Sequence, residues 1–232
     1  MDDVFSEFEK RVLEIETYMD FLKKIHSSTA KLKYSKSGKI QEEPIRNDLQ
    51  KILRANFFIL VYNLIESSIK KAIISIYDNL KKDSVSYSKA KTHYQKIWIR
   101  EFIGNKSAPE KLSQAIHELA NSILMSSVLE FDSKNIEVAG SIDARKIREL
   151  SDIYGFSLSS SSKAENNEML TVKTQRNILA HGECSFMECG QDYTISDLLK
   201  IKKSAEKYLT GVLKDIRKFL SKKEYLALQE TK

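Results

Sequence analysis

The sequence predicts an all-α protein, and three observations carry that prediction. Only 7 Gly and 2 Pro punctuate 232 residues, too few for the closely spaced turns of a sandwich or barrel. Hydrophobic residues make up 41% and charged residues 30%, the composition of amphipathic helices packed around a proper core. Apolar residues recur at steps of three and four over long stretches, the helical period and not the strand period. By length the chain is one large domain or two small ones. We read 1–232 as a single unit, with 1–43 an N-terminal helix and basic connection and 44–232 the main bundle.

Each element has its own justification. From Asp3 to His26, the residues Val4, Phe8, Val12, Ile15, Met19, Leu22 and Ile25 form one stripe, which is the first helix. Residues 27–43 lose the period and gain Ser and Lys, so they read as a connection with a basic surface, and Pro44 suits the first turn of a second helix. From Ile45 to about Leu80 one face stays apolar through Leu49, Ile52, Leu53, Phe57, Leu60, Leu64, Ile65, Ile69, Ile73 and Ile76, roughly nine turns at 3.6 residues each. This long central helix also carries Asn56, Tyr62, Asn63 and Glu66 on or near the stripe. A carboxylate facing inward there would have to be paired, because burying an unpaired charge is costly.

Short helices are expected between Tyr87 and Pro109, and a further helix over Glu110 to Phe131. Asp143 to Tyr154 reads as a short helix with Asp143 as N-cap and Gly155 as its stop. Ser157 to Asn167 is poor in apolar residues and reads as a flexible loop. Asn167 then caps a helix that runs to His181 and ends at Gly182. After it, Ser185–Met187 and Tyr193–Ile195 are expected to pair as a small β-hairpin. The last helix runs from about Ser196 past Leu220, with Leu209, Val212, Leu213 and Ile216 inside and lysines outside.

Charge and cysteine usage narrow the function classes. The net charge is +6, and from Lys200 to Lys232 ten basic residues face four acidic ones, so the last helix and its tail hold a surplus equal to the whole chain's. That balance suits an acidic partner such as nucleic acid without demanding one. The acidic N-terminal segment lacks the basic and apolar regions of a secretory signal, and no apolar run approaches the ~18 residues of a membrane span. Two cysteines, Cys184 and Cys189, are too few for a disulfide framework, so reduced thiols in the cytoplasm are expected.

The chemistry concentrates in the helix ending at Gly182. Met169, Val172, Arg176 and Leu179 share one stripe, so a guanidinium stands where the pattern asks for an apolar side chain. Arginine keeps its charge, so it must meet a carboxylate, a phosphate or a cleft that admits one. Asn177 and His181 are four apart and share a face, with His181 in the last turn. Metal-free RNA cleavage uses these residue types. An imidazole moves the proton of a 2′-hydroxyl, an arginine stabilises the phosphate, and an amide orients one of them.

The segment Arg176-Asn177-Ile178-Leu179-Ala180-His181-Gly182 resembles the R-N-x-x-A-H-G form of the signature of HEPN-superfamily ribonucleases. Tyr62-Asn63-Leu64-Ile65-Glu66-Ser67, Ile142 to Arg148, and the stretch from Ser185 into the last helix are similar to the MAE-type HEPN-like nucleases of bacterial defence and toxin–antitoxin loci, over about residues 45–225. The resemblance implies an all-α HEPN-like bundle, with the hairpin inserted after the motif helix and a basic C-terminal helix. It makes Arg176 and His181 the catalytic pair and Asn177 their polar companion. Glu66 would be a supporting carboxylate, paired with Arg176 when RNA is absent. It also implies a homodimer with two motifs across one cleft, RNA such as tRNA or mRNA as substrate, an antitoxin or defence partner protein, a cyclic phosphate product, and no metal or other cofactor.

Rival readings remain open. His181, Cys184 and Cys189 lie close enough in sequence for a metal site, but structural zinc asks for a fourth ligand and tighter cysteine spacing. The chain is alternatively a non-catalytic HEPN-like RNA-binding or protein-interaction module, or a DNA-binding regulator that uses Asp143 to Tyr154 and the basic tail. Lys202, Lys203 and Lys207 are either a solvated outer face or a row that steers RNA.

Overall fold

The computed structural model of the chain describes residues 1–27, 29–104, 108–136 and 142–227. Ser28 in the basic connection, Ser141 ahead of the short helix, and Glu230 and Lys232 in the basic tail lie outside them.

The architecture is helical and is organised around one long helix. Helix α1 (Asp2–Ile25) leads through strands β1 (Lys31–Lys36) and β2 (Lys39–Pro44) into α2 (Asn47–Lys82). At 1.5 Å per residue α2 is about 54 Å long. The sequence shows it as a one-sided stripe, yet Phe57, Phe58, Val61, Tyr62, Leu64, Ile65, Ile69, Ile73 and Ile76 are all buried and surround its axis. A helix apolar on most sides is an interior helix. Helix α1 packs along α2 through Phe8, Ile15, Met19 and Leu22, while α7 (Asn167–His181), α8 (Phe186–Gln191) and α9 (Ile195–Ser221) cover its other sides.

The remaining helices are α3 (Thr92–Ile103), α4 (Pro109–Leu124), α5 (Ala144–Tyr154) and the single turn α6 (Ser160–Lys163). Helix α4 ends at Leu124, seven residues short of the expected Phe131. Asp143 caps α5 by accepting the Lys146 amide at 2.8 Å, and Gly155 ends it in the left-handed region, both as expected. The stretch at 157–167, read as a flexible loop, is mostly exposed but is anchored at two points and holds the α6 turn. Leu158 and Ser162 are buried, and Asp215 of α9 accepts the Ser159 amide at 2.9 Å to hold the α6 turn.

The expected hairpin and connection exchange places. Phe186–Gln191 form α8, because its N-cap Ser185 and Glu188 make a capping box that satisfies the first free amides of a helix. The only β pairing within named strands among the described residues is β1 with β2, in the stretch read as a connection. Its turn, Ser37-Gly38, has φ of 52° and 75° at the two central residues, the pattern of a two-residue type I′ turn. Pro44 ends β2, and α2 begins three residues later with Arg46 as N-cap. The strands escaped sequence reading because every residue in them is exposed, so no apolar alternation betrays a buried face.

Candidate active site

Helix α7 carries the motif, and both of its ends are fixed by their own sequence. Asn166, one residue ahead of the expected cap, accepts the Met169 amide at 2.9 Å through its side chain. At the other end Gly182 has φ of 69°, its amide donates to Leu179 O, and the Glu183 amide donates to Ile178 O at 3.0 Å. This pair of bonds is a Schellman termination, which a glycine adopts without a Cβ penalty. His181 is therefore held as the last residue of the helix, and its side chain is exposed. Buried Met169, Val172 and Leu179 clamp the opposite side of α7 into the core.

Arg176 interrupts that stripe as the sequence indicates, but its partner is not the expected one. Its guanidinium carbon lies 4.5 Å from the centre of the Tyr62 ring, and Nη1 donates to Asn177 Oδ1 at 3.0 Å. A guanidinium over a tyrosine face is stabilised by the ring quadrupole. No ion pair joins Arg176 to Glu66 or to any other carboxylate of the described residues. The expected Arg176–Glu66 pair is thus corrected. Glu66 is half-buried one turn beyond Tyr62 on α2, and the aromatic ring takes the place assigned to its carboxylate.

Tyr62 is fully buried, and its hydroxyl accepts the Ile142 amide at 3.2 Å. Burial pushes its phenol above the ordinary tyrosine range, so it stays a neutral platform for the arginine. Beside it, Lys173 pairs with Asp143. Burial pushes the Asp143 carboxyl up, but the Lys173 hydrogen bond and the Lys146 amide outweigh it and hold the group below the usual carboxylate range. Tyr62 and the Lys173–Asp143 pair were not assigned roles from sequence. A guanidinium facing a stripe with an aromatic at hand was the signal for the first. A lysine one turn before Arg176 was the signal for the second.

The three motif residues do not point one way. At about 100° per residue, Asn177 stands about 100° around α7 from Arg176 and about 40° from His181, while Arg176 and His181 are about 140° apart. Asn177 is the link, holding the guanidinium while sharing the exposed face of His181.

The lysine row separates into two behaviours. Lys202 is only 12% exposed and donates to Glu16 at 2.9 Å and Glu206 at 3.0 Å, tying α9 to α1. Lys203 and Lys207 are exposed and line a cleft with Lys214, Ser159 and Asp215, a lining that includes neither Arg176 nor His181. Cys184 and Cys189 are free thiols at α8, not in a hairpin; burial pushes Cys189 up to about 11. Among the described residues no group of three His, Cys, Asp or Glu side chains could hold a metal ion. None of their helices is long and apolar enough to cross a membrane.

A helical bundle with an Arg-Asn pair and a helix-end His on one helix is in keeping with its family match, which places the chain among nuclease- and RNA-related helical modules. The family model described as HEPN_MAE_28990/-like HEPN matches residues 1–225, and the chain belongs to that family. The match extends the resemblance, read from sequence over about 45–225, through α1, whose Met19 and Leu22 are part of the core. No curated protein and no solved structure matches the chain.

Proposed function

We propose that the protein is an endoribonuclease that cleaves RNA without a metal ion, by attack of the substrate's own 2′-hydroxyl. His181 accepts the 2′-hydroxyl proton as O2′ attacks the adjacent phosphorus. The bond from phosphorus to O5′ breaks, the leaving oxygen takes a proton from a second imidazole, and a 2′,3′-cyclic phosphate results. Arg176 binds the phosphate and offsets its growing negative charge. Asn177 positions the guanidinium. Glu66, half-buried one turn along α2 from Tyr62, is a supporting carboxylate of the site that does not pair with the resting guanidinium.

The observation that carries this reading is the unneutralised Arg176. Its guanidinium rests on an aromatic face and a neutral amide, so a phosphate can take its free donors without displacing a carboxylate. A fixed, exposed His181 ends the same helix. One chain offers one such imidazole, whereas the reaction needs both a base and an acid. Arg176 and His181 also stand about 140° apart on α7, so the pair of one copy does not share a helix face. Both points support a homodimer with a composite cleft. We assign the enzyme to the toxin or defence effectors of its family, held in check by a partner protein, and the chain as a whole to a single domain.

The test is cleavage in EDTA of end-labelled tRNA beside matched single-stranded DNA, with His181→Ala in parallel. RNA cut to cyclic-phosphate ends by the wild type alone is the expected result. Cleavage that survives His181→Ala, or that requires a divalent ion, overturns the mechanism.

A further inference from the structure

We propose that the β1–β2 hairpin is an arm that grips single-stranded RNA through the face bearing Tyr34, Lys36 and Lys39, an inference that rests on the ribonuclease reading. The hairpin is exposed on both faces along its whole length. No side chain of either strand is buried against the bundle, so both faces are open to a ligand. The register shows which face is free. Lys31, Lys33 and Ser35 lie opposite Pro44, Glu42 and Ile40, and Glu42 pairs with both lysines of that face at 3.8 and 3.2 Å.

The other face is different. It carries Leu32, Tyr34 and Lys36 opposite Glu43, Gln41 and Lys39. Lys36 and Lys39 stand directly across from each other at the turn, and among the described residues neither has an ion pair. Like charges directly opposite on paired strands destabilise them. A polyanion lying across the tip removes that penalty, and the neighbouring Tyr34, 37% exposed, offers a surface on which a base can stack. Gln41, opposite Tyr34, adds an amide to the same face.

The arm is rooted at the end of α2 where α8 packs. Pro44 is three residues before α2, and the first turns of α2 receive α8, whose Gly190 is so close that an added Cβ would lie 1.8 Å from Lys51 O. Helix α8 begins five residues after His181. RNA held on the arm is thus anchored to the same end of α2 that receives the segment leaving His181.

The test measures binding, not cleavage, on full-length His181→Ala protein with a fluorescein-labelled single-stranded RNA, by anisotropy across a salt series. Lys36→Gln/Lys39→Gln should weaken binding about tenfold and reduce the slope of log affinity on log salt by about 1.4, at about 0.7 per phosphate lost from a single strand. Tyr34→Ala should weaken it by about tenfold with the slope unchanged. Melting should not fall in either variant. Affinity and slope identical to the parent overturn the arm and leave the ribonuclease reading intact, as does a change in oligomeric mass or protein capture with RNA binding unaltered. Absence of RNA binding by the parent overturns the arm as well. Wild-type protein that leaves this RNA uncut, while the variants still lose binding, upholds the arm and counts against catalysis alone.

Discussion

The Arg176 guanidinium lies on the ring of Tyr62, 4.5 Å from its centre, and not against Glu66 one turn further along α2. An aromatic partner keeps the cation in place without cancelling it, and the buried Tyr62 hydroxyl is itself anchored by the Ile142 amide. Tyr62→Phe keeps the platform and loses one hydrogen bond, so it should cost about 1 kcal/mol in urea unfolding and leave RNA cleavage nearly unchanged. Tyr62→Leu removes the ring and should lower cleavage at least tenfold by freeing the guanidinium. Equal cleavage by the two variants would show that the ring does not position Arg176.

His181 is exposed and terminal, so its removal should be silent for folding and severe for chemistry. His181→Ala is expected to keep the wild-type melting temperature and to lose RNA cleavage by about 10²–10⁴-fold, the usual worth of a general acid or base. Gly182→Ala retains the imidazole but forces a side chain into a residue with φ of 69°, at about 1–2 kcal/mol. Space is not the obstacle there, since nothing lies within 4 Å of the added Cβ. Reduced cleavage in Gly182→Ala with unchanged pH dependence would identify helix termination as what aims His181.

The legible parts of this chain are those where one physical rule acts alone. Helices α1, α5, α7 and α9 followed from stripes and caps, and Arg176 stood out because a cation broke a stripe. Helix α8 was misread as part of a hairpin because Ser185–Met187 and Tyr193–Ile195 flank a turn-like Cys189-Gly190-Gln191-Asp192, although Ser185 and Glu188 already spelled a capping box. The β1–β2 hairpin was illegible for the opposite reason, as nothing buries it. At the site, the partner of Arg176 depended on which α2 turn met α7. Tyr62 and Glu66 are one turn apart, and the sequence does not choose between them.

The Lys173–Asp143 pair makes the site sensitive to acid. Asp143 is 4% exposed, and its carboxyl is held below the usual range because the Lys173 hydrogen bond and the Lys146 amide outweigh burial. A depressed folded-state value stabilises the fold above the unfolded carboxylate pKa of about 3.9, and that stability is lost as pH falls through the folded value. Asp143→Asn should therefore flatten the decline in urea midpoint below about pH 4. Lys173→Met leaves the carboxylate buried without its cation and should cost about 3–5 kcal/mol at neutral pH. With burial then dominant the sign reverses, so Lys173→Met should regain stability on acidification. Parallel pH profiles for wild type and both variants would remove the pair from the stability of the site.

Lys202, Lys203 and Lys207 look alike in sequence, but their surroundings assign them different effects. Lys202 is paired twice and mostly covered, and its hydrogen bonds to Glu16 and Glu206 outweigh burial to hold its ammonium above the ordinary lysine range. Its charge is committed to joining α9 with α1. Lys202→Met should accordingly lower stability by about 1 kcal/mol, given that Glu16 is half exposed, and leave RNA affinity unchanged. Lys203 and Lys207 are exposed and unpaired among the described residues, so Lys203→Glu/Lys207→Glu should keep the melting temperature. If the α9 face steers RNA, that double variant reduces the salt dependence of binding by about 0.7 per lost phosphate contact, or more given the reversed charge. Unaltered affinity and slope would mark the two lysines as a solvated outer face.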